Sequence, residues 1–138
     1  MTFITNALKL FGIVYLRFRP IPRIWCVWLV AVNAACLFFI TQIEGQVVLA
    51  VTASAVVAQT IIFQELGFVR IMGMVHVAWI PMFTWMATRL ETIMQDPQLM
   101  IWLATLLATN VVCFVVDLID AYRFVKGERA PHYTWELA

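Results

Sequence analysis

The chain has 138 residues, 64% of them hydrophobic and 12% charged, with a formal net charge of +1. Soluble domains average roughly 45–50% apolar and about 25% charged. A 15.8 kDa globule of mean hydropathy +0.91 has too little interior to hide so much apolar surface, so lipid is the expected medium and membrane lipid the first expected partner. The small net charge gives no reason to look for nucleic acid or an acidic substrate.

In chain order, the first feature is an amphipathic segment over residues 1–22. Phe3, Ala7, Leu10, Phe11, Val14 and Phe18 recur at helical spacing, with Asn6 and Lys9 elsewhere on the wheel. This predicts a short helix lying on the inner leaflet. Pro20 and Pro22 separate it from the first long apolar stretch.

Four apolar stretches come next, at about 24–41, 46–63, 69–88 and 98–116. About 20 apolar residues suffice to cross a bilayer. Backbone groups in hydrocarbon must be satisfied within the segment, which makes these helices rather than strands. Gly45 and Gly67 mark turns, and Asp96-Pro97 fits the start of a new helix. Short connections make sequential helices antiparallel. The expected fold is an all-α integral membrane protein, a single-domain four-helix transmembrane bundle over 1–138, with a tail at 121–138.

The charges orient it. Lys9, Arg17, Arg19 and Arg23 precede the first stretch, Arg70 lies between the second and third, and Arg123, Lys126 and Arg129 follow the fourth. Arg89 alone falls on the other side, with Glu44, Glu91 and Asp96. Basic residues stay in the cytoplasm, so both termini are expected inside, in a multi-pass protein of the inner membrane.

Polar residues inside the apolar stretches are the candidate functional residues. His76, Gln59, Asn110 and Asp117 fall toward the inner ends of their stretches, and Asn33 lies nearer the midplane. On an α-helical wheel Asn110, Cys113, Asp117 and Asp120 share a stripe. Thr52 and Gln59 share another, and Gly73, His76, Ile80, Thr84 and Ala87 form a mostly small or polar face. A histidine beside a carboxylate is the pairing used to move protons, because imidazole titrates near neutrality. The competing interpretation is structural: Asn and Gln amides commonly bridge membrane helices, and His76 packs as one more hydrogen-bonded side chain. Glu65, Arg70, Asp120 and Arg123 are candidates for ion pairs at the inner interface.

Pro81 is expected to kink the third helix. Small residues at Ala50/Ser54/Ala58, Ala31/Ala35 and Ala104/Ala108 suit close helix contacts within or between subunits. Trp25, Trp28, Trp85 and Trp102 fit an interfacial belt. The basic tail suits anionic headgroups or simple topological anchoring.

Missing chemistry narrows the function. Cys26, Cys36 and Cys113 form no C-x-x-C pair, and His132 lies in the tail, so one subunit offers no pair of histidines for haem. No metal-ligand spacing, phosphate loop or nucleophile elbow is present, and no cofactor is expected. The leading expectation is an oligomeric protein with a polar, proton-sensitive pathway or pocket for a small solute or ion, built on His76, Asp117, Gln59, Asn110 and Asn33. The alternative is a non-catalytic accessory subunit of a larger membrane complex. A membrane enzyme using His76 and Asp117 ranks last, since no nucleophile accompanies them.

Overall fold

A computed structural model describes residues 2–131 and 133–135; His132 lies outside them. The chain is 83% helical. Among the described residues no strand forms, and the sole β-type pairing is an isolated bridge between Phe68 and Tyr133.

Helix α1 spans Phe3–Gly12, capped by the Thr2 hydroxyl, and loosens into a π-helical turn at Ile13–Arg17. Its buried face is Asn6, Leu10 and Ile13, set against α3, where the Asn6 amide donates to Gln64 at 3.2 Å. Phe3 is exposed, as are Ile4, Leu8 and Leu16. The segment is amphipathic, and its inward stripe is rotated from the one anticipated.

Helix α2 begins at Pro20, where a missing N–H costs nothing in the first turn, and runs to Ala34. It then tightens into a 3-10 helix at Ala35–Phe39. That change of hydrogen-bond register frees a carbonyl, and the Trp102 indole donates to Val32 O at 2.9 Å. The Trp102 ring also stacks on Phe39 at 4.6 Å. Trp102 thus belongs to the core rather than to an interfacial belt.

Helix α3 runs Ile43–Leu66 and ends at Gly67, whose φ of 74° places it where side chains are disfavoured. Next comes a nine-residue 3-10 helix, Arg70–Ala78, which passes without a break into α4, Trp79–Ala87. Runs of 3-10 helix beyond three or four residues are uncommon. Pro81 sits in the first turn of α4, beside this junction, and with no N–H it cannot donate back into the 3-10 turn that precedes it. After the short α5 (Leu90–Ile93), helix α6 spans Pro97–Val125. Asp96 caps it, accepting from Gln98 N at 3.0 Å and Leu99 N at 3.1 Å.

Three helices are long and apolar enough to cross a membrane: Pro20–Phe39, Ile43–Leu66 and Pro97–Val125. The stretch expected at 69–88 instead forms the composite rod of 3-10 helix and α4. Each of α3 and α6 packs against both α2 and the composite rod, leaving α3 and α6 diagonal in a ring of four. The core fills the centre of that ring with Val32, Cys36, Val48, Trp79, Met82 and Leu106 among others. Ile24, Phe38, Val57, Ile61, Val112 and Val116 remain exposed. Ala50, Ser54, Ala104 and Ala108 are exposed too, so these small residues are not what holds the fold together.

At one end Arg89 pairs with the nearly buried Glu44 at 2.7 Å, and Gln42 donates to Asp96 at 2.9 Å. At the other end the tail folds back. Lys126 ends α6, Gly127 takes a φ of 116°, and Gly127 N and Glu128 N donate to Phe124 O and Arg123 O. This is the double bond pattern of a Schellman turn. It delivers Tyr133 onto Phe18 at 4.5 Å and the Trp135 carbonyl to Arg17 at 2.9 Å. The tail through Trp135 is therefore docked on the protein rather than left loose.

Candidate functional site

The composite rod explains the site. In a 3-10 helix residues at i and i+3 eclipse, so Arg70, Gly73, His76 and Trp79 line up on one face. Facing them, α6 offers Cys113, Asp117 and Asp120 at α-helical spacing. The two rods meet in register: Arg70 pairs with Asp120 at 2.6 Å and His76 Nδ1 with Asp117 Oδ2 at 2.7 Å. Between those pairs lies Gly73, where a Cβ would collide with the Asp117 carboxyl. The absent side chain is what lets the rods approach.

The imidazole is held on every side. Its Nε2 lies 3.3 Å from the Gln59 amide nitrogen, brought in by α3. With that amide donating, Nε2 offers a lone pair and the ring proton sits on Nδ1, directed at Asp117. Turning the carboxamide end for end presents Oε1 instead and suits a proton on Nε2. Trp79 stacks on the ring at 4.0 Å, with planes 7° apart. The Cys113 thiol lies 3.6 Å from Asp117 Oδ2, and the side chains of His76 and Asp117 are 12% and 14% exposed. The donor atoms of His76, Cys113 and Asp117 fall within 4.8 Å of one another.

Of the five pathway candidates, His76, Asp117 and Gln59 converge. Asn33 and Asn110 instead pair with each other across α2 and α6, through reciprocal amide bonds of 3.0 and 3.3 Å. Asn33 also donates to Leu29 O at 2.9 Å. Both are buried, and Asn110 lies two turns, about 10 Å, from Asp117 along α6. The expected inward face of Ile80, Thr84 and Ala87 points outward, since the face through His76 follows a period of three.

Among the ion-pair candidates, Arg70 and Asp120 meet at 2.6 Å, whereas Glu65 is exposed and has no ion pair among the described residues. Its place is taken by Glu128, which sequence reasoning missed. Glu128 binds Arg70 at 3.1 Å and Arg123 at 2.8 Å. The Arg123 hydrogen bond, with further attraction from Arg70, holds its carboxyl below the usual glutamate range. Asp96, at the opposite end, is likewise lowered by the Leu99 N–H and the Gln42 amide. Two further participants, Trp79 and Gly73, were readable only as the i±3 neighbours of His76.

No family model matches the chain, and no curated protein or solved structure matches it either. The site's own geometry therefore carries the functional argument.

Proposed function

We propose that this is a small polytopic inner-membrane protein that self-associates and provides a polar, proton-sensitive pocket or pathway for a small ion or solute. The chain crosses the bilayer four times with both termini in the cytoplasm. Length supports the composite rod as the fourth crossing: nine 3-10 residues at about 2.0 Å each and nine α-helical residues at about 1.5 Å reach about 31 Å. A hydrocarbon core is about 30 Å thick.

One observation carries the reading: side chains from three separate rods, Gln59, His76 and Asp117, converge inside a stretch that must otherwise satisfy lipid. Such groups are costly there. A guest competes with the proton shared by Nδ1 and the Asp117 carboxylate, which makes occupancy proton-sensitive. Arg70, Asp120 and Glu128 continue the polar seam to the inner end, giving the pocket an exit on that side. One subunit of four rods encloses little space, so an oligomer completes the path.

Vesicles reconstituted with the protein and an entrapped pH dye test this. Under an imposed proton gradient, wild type collapses the gradient faster than empty vesicles, and His76→Gln does not. Equal rates for the two proteins contradict the reading.

The second reading, an accessory subunit of a larger complex, is favoured by the Asn33–Asn110 pair, whose buried amides bond each other across α2 and α6 and leave nothing facing a guest. Purification in gentle detergent separates the two: a self-contained oligomer supports the pocket, and unrelated chains at fixed ratio support the subunit.

A further inference from the structure

The donor set around Asp117 is chemically more particular than a pocket for an unspecified ion requires. It combines a thiol sulfur, an imidazole nitrogen and a carboxylate oxygen, drawn from two rods, with ligand atoms within 4.8 Å of one another. Oxygen-only sites suit magnesium and calcium, whereas thiolate and imidazole donors both suit zinc, a cation that needs no redox partner. Resting on the reading of this centre as an ion pocket, we infer that it binds one Zn2+ through His76 Nδ1, Cys113 Sγ and an Asp117 carboxylate oxygen. A fourth coordination position stays open.

Charge favours this cation. A thiolate, a carboxylate and a neutral imidazole around a dication sum to zero, so the occupied centre places no net charge in a low-dielectric surrounding, where an isolated charge is expensive. The protons balance as well. The Cys113 thiol releases one proton to water as its sulfur binds the metal. The Nδ1 proton is replaced by one on Nε2, which Gln59 accepts once its carboxamide presents Oε1. Net, one proton leaves per Zn2+ bound, and nothing is oxidised or reduced. The Gln59 contact then becomes the outer hydrogen bond that zinc-bound histidines characteristically make.

Two of the three ligand edges need little adjustment, and the third, from imidazole nitrogen to thiol sulfur, spans no more than 4.8 Å. Bonds of 2.0–2.3 Å in a tetrahedral zinc site give ligand–ligand edges of about 3.4 Å. The Sγ–Oδ2 separation of 3.6 Å is already close, and the Nδ1–Oδ2 separation of 2.7 Å has to open by less than about 1 Å. Trp79 stacked on His76 fixes the plane of the ring. Cys26 of α2 lies within electrostatic reach of Cys113 but outside the converging set.

The full-length protein, purified metal-free in detergent, decides the matter by Zn2+ competition against a chromophoric chelator, with Co2+ as an optical probe. The expected result is one Zn2+ per chain and a thiolate-to-cobalt charge-transfer band. Cys113→Ser, which preserves side-chain shape, weakens Zn2+ about 100-fold and abolishes the band, while Gln59→Ala weakens it about 10-fold. Cys26→Ser and Cys36→Ser leave binding and band unchanged. Wild type binding no tighter than Cys113→Ser, or showing no thiolate band, overturns the inference. The vesicle assay fails separately: zinc binding without gradient collapse removes the pathway alone, and collapse without zinc binding removes only the zinc.

Discussion

Gly73 and Asp117 compete for one small space. A Cβ built on Gly73 would lie 2.8 Å from the Asp117 Cβ and closer still to its carboxyl, so the contact between the composite rod and α6 depends on a missing side chain. The His76–Asp117 and Arg70–Asp120 pairs on either side of it depend on the same approach.

Gly73→Ala therefore separates the two rods. Ala gains up to about 1 kcal/mol over Gly from helix propensity, but overpacking costs about 1–3 kcal/mol, and here the colliding partner begins at Cβ and has little room to swing away. The expected outcome is a net loss of about 1–2 kcal/mol, together with loss of cation binding at His76. Thermal unfolding in detergent, followed by circular dichroism, gives the stability change. An unaltered transition would show that the rods pack more loosely than described.

Asn33 and Asn110 behave as one unit. Replacing Asn33 by Ala strands the Asn110 amide in the core, and replacing Asn110 leaves Asn33 only its bond to Leu29 O, at about 1–2 kcal/mol each. Replacing both removes two polar groups and leaves none unsatisfied. A double-mutant cycle is expected to show the double variant no less stable than the worse single one, with a coupling of about 1 kcal/mol. Simple additivity would show that the two amides do not depend on each other.

The docked tail responds to acid. Because the folded Glu128 carboxyl is held below its usual range, its contribution is fully present above the ordinary glutamate value of about 4.3. It fades as pH falls through the lower folded-state value. Hydrogen exchange over residues 126–135, corrected for intrinsic rates, is expected to rise on acidification below that point. Glu128→Gln is expected to raise it already at neutral pH and to flatten the acid dependence. Exchange identical in the two proteins would disconnect Glu128 from the tail.

How far the sequence discloses this structure depends on the period each element follows. Helix α6 keeps an α-helical repeat, so Asn110, Cys113, Asp117 and Asp120 fall on one stripe and their inward face is readable. From Arg70 to Ala78 the repeat is three, and wheel geometry at 3.6 carries the inferred face away to Ile80, Thr84 and Ala87. The spacing of Arg70, Gly73, His76, Trp79 and Met82 is the only local sign of it. His76, Gln59 and Asp117 meet. Depth alone does not tell which partner an amide finds, and Asn33 and Asn110 find each other. Cys113 and Asp117 are one turn apart, but the third donor stands on another rod, so local spacing could not disclose the set. Glu128 was hidden for a different reason: only the turn at Gly127 brings it back to Arg70.

Sidedness is the most direct test of the proposed topology: if the chain crosses four times with both termini inside, the seam from His76 to Glu128 opens on the inner face. Gln95→Cys and Lys126→Cys put exposed thiols at opposite ends of the ring, and wild type supplies the background from its three internal cysteines. In intact cells a charged, impermeant maleimide is expected to modify residue 95, and to reach residue 126 only after the membrane is permeabilised. Modification of residue 126 from outside, or equal reactivity of both positions before permeabilisation, would contradict the account.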